Sequence, residues 1–109
     1  MRTNRQFSFI DLKISTLIPS NDPIKILFDT VDFSFIYRLV KDKYTDEGPE
    51  GYDPQSLFKA LLLIYLGFAS SERDLSRKLR FDGRLAFLCG FSYGDTPNHN
   101  TFHYFRKRL

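Results

Sequence analysis

The sequence predicts an all-α fold, a small bundle of about six helices with a helix-turn-helix-like C-terminal part. Three observations lead there. Apolar residues recur at helical spacing in several stretches, cap-and-proline or serine starts precede them, and no strand pattern of any strength appears after residue 20. A chain of 109 residues forms one domain at most, with a single modest core. That core must accept bulky filling, since there are 12 Phe and 6 Tyr but no Trp.

Residues 1–19 show only a broken alternation of Phe7, Phe9, Ile10, Leu12 and Ile14, which predicts an extended arm, weakly tied down. The helical domain then runs from residue 20 to 109. Asp22 is a helix cap and Pro23 the first helical residue, where a missing amide hydrogen costs nothing. Ile24, Leu27, Phe28 and Val31 follow on one face. Asp32 is the expected cap of a second helix with Phe33, Ile36, Leu39, Val40 and Lys43 on one side, either separate from the first or continuous with it. Thr45 to Gly51 reads as an acidic loop. Asp53-Pro54 repeats the cap-then-proline start, and Leu57 to Phe68 is apolar almost all round, which predicts the central core helix, ended by Gly67 and Ala69. Ser71-Glu72-Arg73-Asp74 fits a capping box, with Leu75 and Leu79 inward and bases in the last turn. A short helix from Arg84 to Cys89 stops at Gly90. Asn98 or Asn100 caps the terminal helix.

Several function classes are excluded early. The lone Cys89 permits no internal disulfide and no multi-cysteine metal site, and its neighbours Leu88 and Phe91 suggest a buried thiol in a reducing cytosol. The N-terminus does not resemble a signal peptide. The longest apolar run, from Leu57 to Ala69, contains Lys59 and falls short of the roughly 20 residues needed to span a bilayer. The expected location is the bacterial cytoplasm, with no membrane partner. His99 and His103 are four apart but lack a third ligand, so no metal site is expected. Asp46, Glu47 and Glu50 sit in a Gly-Pro loop and read as solvated. Ser70 and Ser71 are explained by capping. No glycine-rich phosphate loop is present, no small-molecule ligand or cofactor is expected, and the chain alone is not expected to be an enzyme.

The distribution of charge says more than its sum of +3. Residues 20–55 carry four bases and eight acids, whereas residues 70–109 carry eight bases and four acids. A basic final third fits either a polyanion-binding face or a solvated helical surface. At about 100° per residue, Phe102, Phe105 and Leu109 fall together toward the core. His103, Tyr104, Lys107 and Arg108 then occupy the opposite side, with Arg106 on the flank. An apolar stripe backed by cationic, hydrogen-bonding residues suits a helix lying on phosphates or in a major groove. The candidate DNA-contacting residues are Arg73, Arg77, Lys78, Arg80 and Arg84, with His99, which lies before the probable cap, and Asn100, Thr101, His103, Tyr104, Arg106, Lys107 and Arg108 at the terminal helix. The loop Phe91 to Pro97 is long for the simplest helix-turn-helix.

Several segments in order carry a resemblance. Gly51-Tyr52-Asp53-Pro54, the apolar helix Leu57–Tyr65, Gly67, Ser71-Glu72-Arg73-Asp74-Leu75, Leu85-Ala86-Phe87-Leu88-Cys89-Gly90, and Pro97-Asn98-His99-Asn100-Thr101-Phe102 followed by Phe105-Arg106-Lys107-Arg108-Leu109 stand in sequence. Together with Leu17-Ile18-Pro19 and Val31 to Ile36, they resemble the N-terminal domain of bacterial insertion-sequence transposases of the DDE class. The resemblance covers nearly the whole chain. It implies a helical domain that precedes a catalytic RNase H-like domain and binds the element's terminal inverted repeats. Three carboxylates and Mg²⁺ in that further domain would cleave and join DNA strands. None of the acids here matches those motifs, so no catalytic residue is carried over. Two departures are visible: the family's Asp-His-Ser-Thr stands here as Asn98-His99-Asn100-Thr101, and the usual charged-His pair after Pro19 is Asn21-Asp22. Double-stranded DNA is thus the expected partner, with self-association as a second. Because the terminal helix shows no stop signal and Leu109 stays on its apolar face, the chain is expected to be the front of a longer protein. The rival expectations are a protein-interaction module without DNA contact and an unrelated small helix-turn-helix regulator.

Overall fold

Two Asp-Pro starts do what the sequence asks of them. In the computed structural model, which describes residues 9–41 and 51–109, the Asp22 carboxylate accepts from the amides of Ile24 and Lys25, and the Asp53 carboxylate from that of Gln55. Each satisfies orphan donors of a first helical turn that begins on proline. The described residues form seven helices: α1 (Phe9–Leu17), α2 (Pro23–Thr30), α3 (Phe35–Val40), α4 (Pro54–Tyr65), α5 (Glu72–Phe81), α6 (Gly83–Cys89) and α7 (His99–Lys107). Among the described residues there is no strand, only an isolated bridge between Ser92 and Asp95. The fold is all-α.

The helix beyond the expected six is α1, where an extended arm was predicted. The reason is visible in its burial. Its Asp11 is wholly buried, while Phe9, Ile10, Leu12 and Leu17 are exposed. An inward face made of a carboxylate and of Ile14, which packs at Gly83, leaves no apolar period to read. Asp11 accepts from Ser92 Oγ and from the Tyr93 amide, both at 2.7 Å, which holds α1 against α6 and the loop after it.

Helices α2 and α3 are separate. The chain leaves α2 in extended conformation at Val31, and Asp32 accepts from the Ser34 amide in a short turn rather than capping α3 itself. Phe33, Ile36 and Val40 are buried as expected, but Leu39 is exposed because the short helix turns it away from α4. Lys43 and the acidic loop, apart from Gly51, lie outside the described residues.

Helix α4 is the hub, packed on α3, α5, α6 and α7, with Leu57, Ala60, Leu61 and Leu63 buried. It ends at Tyr65 rather than Phe68. Gly67 sits at φ +89°, the Phe68 amide returns to the Leu63 carbonyl at 2.9 Å and the Gly67 amide to that of Ile64 at 3.1 Å. This is a Schellman stop, which a glycine makes cheap. The apolar circumference of α4 is therefore not all core: Tyr65, Leu66 and Phe68 are exposed. A second ring cluster joins Phe28, Phe33, Phe35 and Phe58, with the Lys59 ammonium 5.3 Å from the Phe33 ring centre.

Helix α6 closes the other side, packing on α1, α2, α4 and α5. Its cap is Asp82, which accepts from the Arg84 and Leu85 amides. Its stop is Gly90 at φ +100°, where an added Cβ would come within 2.7 Å of Ser56 Oγ on α4. Cys89 beside it is buried, and burial pushes its thiol up to about 12 against the weaker pull of Lys59.

Candidate nucleic-acid interface

Helices α5 and α7 form the basic side of the molecule. Ser71 Oγ accepts from the Asp74 amide at 3.1 Å, while the Asp74 carboxylate reaches back to the amide and hydroxyl of Ser70. The capping box thus closes one residue earlier than its usual form, on Ser70 instead of Ser71. At the other helix Asn98 is the cap, accepting from the Thr101 amide at 3.1 Å. Phe102 and Phe105 are wholly buried, and truncating either ring would cost about 3–5 kcal/mol. Leu109 departs from expectation. The helix ends at Lys107, the last amides bond three residues back, and Leu109 leaves the apolar stripe half-exposed.

The two helices run antiparallel. Ser76 Oγ of α5 donates to the Pro97 carbonyl just before α7, and Glu72 at the start of α5 meets Arg106 at the end of α7, with Nε and Oε2 2.6 Å apart. A helix advances about 100° per residue, so Glu72 and Ser76 define the flank of α5 that faces α7. Arg73 and Arg80 lie next beyond that flank, with Arg77 further outward. Around α7 the same geometry places Arg106 and His103 toward α5, Lys107 and Asn100 on the solvent side next to them, and Tyr104 and Arg108 further round, on the side away from α5. Arg73 and Arg80 of α5 and Lys107 of α7 therefore border one seam from its solvent side.

The predicted residues divide by what holds them. Arg77 donates to Asp74 Oδ1 at 2.8 Å, and Lys78 bonds the Phe68 carbonyl at 2.7 Å with Asp74 Oδ2 at 3.3 Å. Lys78 thereby ties the α4–α5 corner and points away from α7. The Ser70 amide, followed by Arg77, then Lys78 and the Ser70 hydroxyl, holds the Asp74 carboxyl well below the usual carboxylate range. Arg84 is bonded to Asp22 of α2, far from α7. Burial pushes the Asp22 carboxyl up, but the Lys25 amide and the Arg84 guanidinium outweigh it and hold it low. Arg80 rests near the Phe81 ring, 6.0 Å from its centre. Thr101 is 2% exposed, with its amide and hydroxyl on Asn98, and belongs to the cap rather than to an outer face. His99 is half-buried in the first turn, and Asn100 is exposed. Tyr104 is exposed, with its ring set against that of His103 at 5.7 Å. Arg73 and Lys107 are exposed, and neither has an ion pair among the described residues.

Glu72 is the residue that sequence reasoning passed over. Its partner lies 34 positions away, so no local pattern pointed to it. Beside the Glu72–Arg106 pair, Phe58, Leu61, Leu62, Tyr65 and Leu109 line an apolar groove of about 490 Å³. Among the described residues no cluster of three or more His, Cys, Asp or Glu has metal-ligand geometry, and no helix is long and apolar enough to cross a membrane.

No curated protein and no solved structure matches the chain. Residues 12–108 match the transposase domain family DUF772, a span that begins inside α1 and runs past the end of α7. The match takes in every helix, α1 included in its greater part, and this chain belongs to that transposase domain family.

Proposed function

We propose that this chain is a DNA-binding and docking module of an insertion-sequence transposase, which grips the ends of the element so that they can be cut and joined. The observation that carries this reading is the seam between α5 and α7, where the exposed Arg73 and Arg80 stand on one flank and the exposed Lys107 on the other, with Arg77 further out on α5 and Tyr104 and Arg108 further round α7. The buried Phe102 and Phe105 fix α7 rigidly beneath that face. Helix α6, the turn at Gly90 and α7 would serve as the helix-turn-helix-like element, with Phe91 to Pro97 as its long turn. The strand chemistry, and any Mg²⁺ it uses, is assigned to a separate catalytic domain of the parent protein. The place of action is the bacterial cytoplasm, on the chromosome.

A salt series tests it. With three to five phosphates neutralised, log K for a mixed-sequence duplex should fall with log salt at a slope of about −3 to −5. Replacing Lys107 and Arg108 by Glu leaves the buried stripe intact. Binding by fluorescence anisotropy should then drop more than about tenfold at low salt, with a shallower slope, while circular dichroism stays unchanged. The pair Arg73→Glu and Arg80→Glu should act in the same direction from the α5 side. Equal binding by all these variants and the parent would remove DNA contact from this face. The protein-interaction reading would then take over, supported by the apolar groove beside Leu62 and Tyr65.

A further inference from the structure

The Glu72–Arg106 pair has a third member. The second guanidinium nitrogen of Arg106 lies 3.3 Å from His103 Nδ1, while Arg106 Nε is held by Glu72 Oε2 at 2.6 Å. A guanidinium has five N–H donors and no acceptor. His103 Nδ1 must therefore be the acceptor, its lone pair turned toward Arg106. The rival arrangement, Nδ1–H donating to Glu72, would span 3.8 Å to Oε1, too long for a hydrogen bond. A neutral imidazole whose Nδ1 accepts carries its proton on Nε2. Nε2 has no hydrogen-bond partner among the described residues, and the side chain is 45% exposed. The contact with the Tyr104 ring limits how far the imidazole can turn.

We propose that the Glu72–Arg106 pair sets the tautomer of His103, so that α7 presents Nε2–H as a hydrogen-bond donor to an acceptor on duplex DNA. The acceptor rests on the DNA-binding reading above, whereas the tautomer is a property of the free protein. Arg106 is on this account a positioning residue, held back from the phosphates, and the directional contact is made by its neighbour three residues earlier. A phosphate oxygen and a base-edge acceptor such as purine N7 offer the same chemistry to such a donor.

A charge swap separates positioning from mere support. Glu72→Arg combined with Arg106→Glu keeps the net charge and an ion pair, but sets an acceptor against Nδ1. In the whole chain, long-range proton–nitrogen correlation spectra of the neutral imidazole should show a pyrrole-like Nε2 and a pyridine-like Nδ1. In the swapped variant the two should exchange. A pyrrole-like Nδ1 in the parent, or an unchanged tautomer in the swap, overturns the relay. The swapped variant should also bind duplex roughly tenfold more weakly, as expected for losing one hydrogen bond. Adding His103→Gln should restore affinity, since its amide supplies a donor in either background. An equal loss on mixed-sequence duplex and on duplexes selected from a random pool assigns the acceptor to phosphate, and a loss on the selected duplexes alone assigns it to a base edge. An exchanged tautomer with undiminished affinity on both overturns the donor role. A parent chain that binds no duplex sinks the DNA-binding reading and the acceptor with it, while the spectra of the free protein still decide the relay.

Discussion

Asp11 and Glu72 each fasten a helix to the rest of the fold, at different depths. Asp11 is wholly buried and accepts from the Ser92 hydroxyl and the Tyr93 amide. Glu72 is near the surface and collects a guanidinium. A buried carboxylate is tolerable only while its lone pairs are filled, so the Asp11 tether is a matter of folding. An exposed ion pair gains little in water and salt, so the Glu72 clamp serves mainly to orient what it holds. The comparison teaches that the number of contacts a carboxylate makes is a poor guide to its role. Burial separates the two.

The largest expected effect lies on the buried side. Asp11→Ala leaves the Ser92 hydroxyl and the Tyr93 amide without their acceptor and loosens α1 from α6. It should cost about 2–4 kcal/mol, seen as a lower urea midpoint with an unchanged slope. A loss under about 1 kcal/mol would mean that α1 is held by something other than its carboxylate.

A smaller effect is expected from acid. Asp22 and Asp74 both titrate below their ordinary range in the folded chain. A lowered folded pKa contributes stability that is complete above the unfolded value, near about 4, and is lost as pH falls toward the folded one. Urea midpoints should therefore be flat down to about pH 4 and decline below it. Asp22→Asn and Asp74→Asn should each flatten that decline. An acid limb identical in parent and variants would show that other groups control it.

The smallest effect belongs to Glu72. Glu72→Gln should leave the urea midpoint close to that of the parent, although it loosens Arg106. A drop comparable with that of Asp11→Ala would erase the distinction between tether and clamp.

What could be read from the sequence follows the same division. Asp22-Pro23, Asp53-Pro54, Ser71 and Asn98 were legible as helix starts because a cap bonds amides two or three residues away. The inward stripe of Phe102 and Phe105 was legible from spacing alone. Helix α1 was not, because its buried residue is polar, Phe9, Ile10, Leu12 and Leu17 are exposed, and Ile14 alone packs inward, at Gly83 of α6. The apolar run through Phe68 overstated the core, since spacing cannot say which side of an all-apolar helix meets other helices. At the candidate site the bases were legible as charge, and the Arg77–Asp74 pair lies within one helical turn. The partners of Arg84 and Arg106 were not legible, because only the folded chain brings residues 62 and 34 positions apart together.

Cys89 carries a practical consequence. It is 1% exposed, and its thiol loses a proton only near about 12, so the thiolate that thiol-reactive reagents need is nearly absent at neutral pH. No other cysteine is present in the chain. Toward a maleimide dye or spin label, the folded protein therefore behaves as though it had none. A Tyr104→Cys or Arg73→Cys substitution would create one addressable position on the α5–α7 face, and a reporter could be placed there without first removing the native sulfur.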